Sequence, residues 1–127
     1  MKSNYPLTKT SELRVKLYVK DFYKMRRFYK NFLGYPIAAE WAEKNSKGMM
    51  FNAGSAVIEL LWEPGKYNPV KNCRLSLKIK DVWKLWKKVK DHGDIVFHIR
   101  DNPWGDTSFA INDPEGFEIT FFSPTKR

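Results

Sequence analysis

Charged and aromatic side chains in this chain recur at alternate positions. In the stretch from Leu13, Arg14, Lys16 and Tyr18 alternate with Leu13, Val15, Leu17 and Val19, and from Arg74, Ser76 and Lys78 alternate with Leu75, Leu77 and Ile79. A period of two places alternate residues on opposite faces of a strand. If the leucines face a core, one exposed face carries Arg14, Lys16 and Tyr18, and another carries Arg74, Ser76 and Lys78. The same parity in two later apolar stretches sets Val57, Glu59 and Leu61, then Glu118, Thr120 and Phe122, on the corresponding faces. The chemistry expected of such a surface is recognition of a small molecule. Paired guanidinium N–H donors of Arg14 and Arg74 suit a carboxylate or phosphate, and Tyr18, Phe122 and Trp104 offer flat walls. An equally physical reading has Glu59 form an ion pair with Arg14 or Arg74, a purely structural bridge whose disruption costs roughly 3–5 kcal/mol.

Catalytic patterns are absent. The sequence has no phosphate-cradling glycine loop, no Ser-His-Asp arrangement and no nucleophilic cysteine motif, so no catalytic residue is assigned. His92 falls at the end of an expected helix, where a surface histidine complements the helix dipole. His98 reads as a partly exposed strand residue. Cys73 is the single cysteine, which excludes an internal disulfide and a cysteine-based zinc cluster within one chain. Trp41 and Trp62 are left outside the candidate site and Trp86 is expected in the core.

These residues are positioned by a plan written twice. The segments RVKLYVKDFYKMRRFYKNFLG and RLSLKIKDVWKLWKKVKDHG each run from a half-buried strand into Lys-Asp and then into an amphipathic stretch. Asp21 and Asp81 are placed to cap helices. Phe22, Met25, Tyr29 and Phe32 recur at helical spacing, as do Val82, Leu85, Trp86 and Val89. Gly34 and Gly93 are expected to end the helices in the left-handed conformation. Three strands then follow in each half, around 36–43, 48–52 and 56–62, and around 94–100, 107–112 and 117–122, with turns at Asn52–Ser55 and Asp113–Gly116. The expected organisation is one α+β domain of two tandem βαβββ modules, residues 11–63 and 72–123, joined by a linker at 64–71. An internal repeat is more specific than any single local assignment. Two sheets of this kind, each covered by a helix on one face, are expected to form a cupped mixed β-sheet with a ligand cavity.

The motifs VKDFYKMRRFYKNFLGY, AVIELL and NPWGDTSFAINDPEGFEITFF, in this order and spacing, resemble the vicinal oxygen chelate superfamily, which includes glyoxalases, extradiol dioxygenases and bleomycin-resistance proteins. The resemblance covers about Leu13 to Phe122. It implies four metal-ligand positions, on the first and last strands of the modules, which match Arg14, Arg74, Glu59 and Thr120 here. An arginine has no free lone pair and stays protonated, and threonine is a weak ligand, so no metal and no other cofactor is expected. The resulting reading is a metal-free, bleomycin-resistance-like protein that binds or sequesters a small, anionic or aromatic ligand through Arg14, Lys16, Tyr18, Glu59, Arg74, Lys78, Trp104, Thr120 and Phe122. The alternative is a divalent-metal-dependent lyase, isomerase or dioxygenase with a relocated site. The resemblance also implies a homodimer.

Lys and Arg number 23 against 14 Asp and Glu, a formal charge of +9. That balance favours anionic partners. With no nucleic-acid-binding motif, and with many of the lysines on the outer sides of two expected helices, a solvated basic face is expected in place of a nucleic-acid interface. The opening residues MKSNYPLTKT lack the apolar run of a signal peptide, and no stretch approaches the roughly 18 apolar residues of a membrane span. A cytoplasmic protein with no membrane partner is the expectation.

Overall fold

A computed structural model describes residues 7–126. The chain divides between Tyr67 and Asn68 into two compact units, each built on a four-stranded mixed sheet. In the first unit, β1 (Leu13–Tyr18) leads into α1 (Phe22–Arg27), and β2 (Ile37–Glu43), β3 (Ser46–Ala53) and β4 (Ala56–Trp62) follow. Their order across the sheet is β1-β4-β3-β2. The β1–β4 pair is parallel and the other two pairs are antiparallel. The second unit repeats this: β5 (Leu75–Lys78), α2 (Val82–Val89), β6 (Asp94–Asp101), β7 (Asp106–Asn112) and β8 (Glu118–Pro124), in the order β5-β8-β7-β6 with β5 parallel to β8. The fold is α+β, two βαβββ units in tandem. The antiparallel neighbours connect by short turns, whereas each parallel pair encloses the helix.

Each helix begins where the sequence indicates. Asp21 Oδ1 accepts from the Lys24 N–H at 3.1 Å, and Asp81 Oδ1 from the Lys84 N–H at 3.1 Å, each satisfying a donor the first helical turn leaves free. In the second unit Ser123 Oγ also accepts from the Val82 N–H at 3.0 Å and donates to the Ile79 carbonyl at 2.8 Å, tying β8 to the start of α2.

The ends depart from expectation. The first helix is not uniformly α: Phe28–Phe32 is a π-helical turn, closed by the Leu33 N–H on the Phe28 carbonyl at 2.9 Å. The wider turn keeps Tyr29 wholly buried, with its ring 5.8 Å from that of Phe51, while Phe28 packs on Phe32 at 5.4 Å. Phe32 is therefore half-buried, not a full core residue. Gly34 does take a left-handed φ of 80°, but Gly93 does not. At Gly93 the constraint is space: a Cβ would come within 3.1 Å of the Val89 carbonyl oxygen.

The core of each unit lies between helix and sheet. Met25 and Tyr29 cover Met49, Phe51, Ile58 and Leu60 in the first; Trp86 packs on Phe109 at 5.2 Å, and Phe109 on Phe121 at 5.6 Å, in the second. Each such large side chain contributes about 1.5–3 kcal/mol on burial. Asp113, also buried, closes the last turn by accepting from the N–H groups of Glu115 and Phe117.

Candidate functional site

Because Phe51 meets Tyr29 of the helical layer, its register partner Ile58 lies on the same, covered face, and the alternate residues form the face without a helix, open in that sense although Val57, Glu59 and Gly48 on it are buried. On the first unit's open face two rows cross the sheet. One runs Lys16, Glu59, Met50, Ala39; the next runs Tyr18, Leu61, Gly48, Trp41. Arg14 lies one step further along, in register with Val57.

Glu59 is the unusual member. Its side chain is 6% exposed although it carries a carboxylate, and among the described residues it forms an ion pair with Lys16 Nζ, 3.9 Å from Oε1. That distance lies beyond hydrogen-bond reach, and Oε1 has no hydrogen-bond partner among the described residues. Within the first unit Glu59 is therefore bridged to Lys16 and not to Arg14. The reason is register: the parallel β1–β4 pairing sets Lys16, not Arg14, opposite Glu59. Arg14 pairs instead with Glu12, and that hydrogen bond is the chief cause of its raised pKa. The Tyr18 hydroxyl donates to Glu63, which raises the tyrosine pKa, with nearby Glu59 adding in the same direction.

Trp41 stands over Gly48. A Cβ built on Gly48 would fall 1.9 Å from Trp41 Cζ2, so the indole occupies the space that any other residue would fill. Trp62 lies on the opposite face, beneath Lys47, whose ammonium sits 4.6 Å from its ring.

In the second unit Thr120 is flanked by Ser76 and Ala110, and Phe122 by Lys78 and Ser108. Arg74 directly precedes β5 and pairs with Glu118 at 3.1 Å. Both line a cavity of about 510 Å³ with Cys73 and Asn112. Trp104 is 73% exposed at the tip of the β6–β7 hairpin, beyond the strand positions around Thr120. His98 packs against Trp86 with ring centroids 5.3 Å apart, and exposed His92 donates its backbone N–H to the Val89 carbonyl at the end of α2.

Residues 13–121 match the family model of the Glyoxalase/Bleomycin resistance protein/Dioxygenase superfamily. The chain belongs to this superfamily. Among solved structures, TioX from Micromonospora sp. ML1 is similar over 91% of this chain and 100% of its own, with a TM-score of 0.74 at 18% identity. A superfamily member from Sphaerobacter thermophilus is similar over 92% and 99%, at TM-score 0.73 and 18% identity. A glyoxalase I variant from Zea mays superposes at TM-score 0.75 and 20% identity, over 87% of this chain and 46% of that larger one. At these identities the likeness is one of fold. A search of curated protein sequences gave no match.

The sequence resemblance assigns the metal-ligand positions to Arg14 and Glu59 in the first unit and to Arg74 and Thr120 in the second. Those residues do not fit a divalent ion. The arginines present only donors, Thr120 is uncharged, and Glu59 already faces an ammonium group. Among the described residues no three His, Cys, Asp or Glu side chains are grouped to hold a metal.

Of the residues expected at a site, Arg14, Lys16, Tyr18 and Glu59 share one open face, and Lys78, Thr120 and Phe122 share the other unit's. Trp41, which the sequence reading leaves outside the candidate site, and Met50 lie on the first unit's open face as well. Their signal is the tight hairpin at Lys44-Asn45, whose pairing of Glu43 with Ser46 puts Trp41 opposite Gly48.

Proposed function

We propose that this superfamily member binds a small aromatic molecule without a metal and without changing it chemically. The binding surface is the open face of the first unit's sheet. The carrying observation is the row pattern there: a buried carboxylate and an ammonium group stand beside Tyr18, Leu61 and a Trp41 seated on glycine. Flat apolar walls around a few oriented polar groups are the usual composition of a small-molecule site. The replacement of metal donors by arginine and threonine supports binding over Lewis-acid chemistry, which needs an open coordination position on a held ion.

Thermal-shift and calorimetric screening against carboxylated aromatics, neutral aromatics, phosphates and antibiotics tests the reading, since a ligand that binds only the folded state raises Tm. Aromatic compounds are expected to raise it, and protein purified without chelators is expected to contain only substoichiometric metal by elemental analysis. An unchanged Tm with every class, or one bound metal per chain, overturns the proposal.

A further inference from the structure

Glu59 Oε1 poses a problem that the protein's own groups leave unsolved. It is buried, it has no hydrogen-bond donor among the described residues, and Lys16 Nζ supplies charge from 3.9 Å without a hydrogen bond. A buried acceptor left unpaired is costly and uncommon in native structures. The neighbours cannot correct it from where they stand. Met50 and Leu61 carry no donor, the Tyr18 hydroxyl is turned to Glu63, and Arg14 stands one register step away opposite Val57, with its Nε–H on Glu12.

We propose that Glu59 selects a planar ligand that donates a neutral N–H to Oε1 while its ring rests in the adjacent row, against Trp41, Leu61 and Tyr18. The inference rests on the small-molecule reading above and assigns its ligand class. The charge pattern disfavours a charged group at Oε1 itself. A carboxylate or phosphate would approach Glu59 directly, at like charge and in partly desolvated surroundings. A cation would enter beside Lys16, which already provides the counter-charge, and Arg14 on the same face. What Oε1 lacks is a hydrogen-bond donor, not a positive charge. The register sets the geometry: Glu59 and Leu61 are two residues apart on β4, about 7 Å along the strand, and the Trp41 indole over Gly48 lies in the Leu61 row one strand further across. That spacing suits a fused bicyclic ring with the N–H at one edge.

The test is titration of the full chain with four probes, followed by calorimetry and by amide NMR shifts of β3 and β4: indazole, 1-methylindazole, benzamidine and 2-naphthoate. Indazole is expected to bind about tenfold or more tightly than 1-methylindazole, the range for a hydrogen bond to a charged group, with shifts at Met50 and Glu59. Glu59→Met is expected to abolish that preference, and Glu59→Gln, which keeps an acceptor oxygen, to retain part of it. Equal affinity for the two indazoles, as when a water occupies Oε1, overturns the donor assignment and leaves small-molecule binding standing. Tighter binding of benzamidine or 2-naphthoate does the same. If none of the four binds, the donor assignment fails; if the wider screen is also silent, the binding reading fails with it.

Discussion

At the scale of single residues, Glu59 carries a conflict between folding and function. A carboxylate with 6% of its side chain exposed has lost most of its hydration, and one ammonium at 3.9 Å does not restore the hydrogen bonds. Removing it strands little: Lys16 is 61% exposed and solvent takes over its charge. Glu59→Met is therefore expected to stabilise the protein by about 1–2 kcal/mol, a gain of several degrees in Tm, while weakening ligand binding. Calorimetric unfolding of the variant checks this, and a fall in Tm would show that Glu59 supports the fold. Arg14 and Arg74 behave differently. Each has a carboxylate partner nearby, Glu12 and Glu118, and as exposed, solvent-screened pairs they add little to stability.

At the scale of elements, the β2–β3 hairpin decides the shape of the open face. Trp41 lies where it does because Gly48 has no side chain, and β2 is an edge strand, free to let the indole swing away. Gly48→Ala is expected to displace Trp41 at a stability cost of about 1 kcal/mol and to weaken aromatic ligands far more than it weakens folding. Parallel ligand titrations and melting curves separate the two effects; unaltered affinity would remove Trp41 from the site. The helices show how far local pattern reaches. Asp21 and Asp81 were legible as caps because capping depends on residues three apart. The π-helical turn at Phe28–Phe32 was not, because what maintains it is the packing of Tyr29 against Phe51 from another element.

At the scale of the whole molecule, a net charge of +9 acts against compactness. Both helices are rich in basic residues, with Lys24, Arg26 and Arg27 closing α1 and Lys87 and Lys88 closing α2, and neither helix has an acidic residue in its first turn. Screening of their mutual repulsion should exceed the loss of a few exposed ion pairs. Tm is expected to rise between about 10 mM and 150 mM salt, as the screening length shortens from about 30 Å to 8 Å; differential scanning calorimetry across that range would expose the opposite trend if the ion pairs dominate. No helix among the described residues is long and apolar enough to cross a membrane.

The sequence alone determined the repeated βαβββ plan, its helix starts and the two faces of each strand, because each depends on residues close together in the chain. Alternation was enough to place Arg14, Lys16 and Tyr18 on one face and Glu59 on its neighbour's. Only the tertiary structure decided which of them meet. Register across β1–β4 joins residues more than forty positions apart, and a shift of two leaves every face unchanged while exchanging Arg14 for Lys16 as the partner of Glu59. The same holds for Trp41, whose place over Gly48, one row from the buried carboxylate, follows from a hairpin register and a missing Cβ.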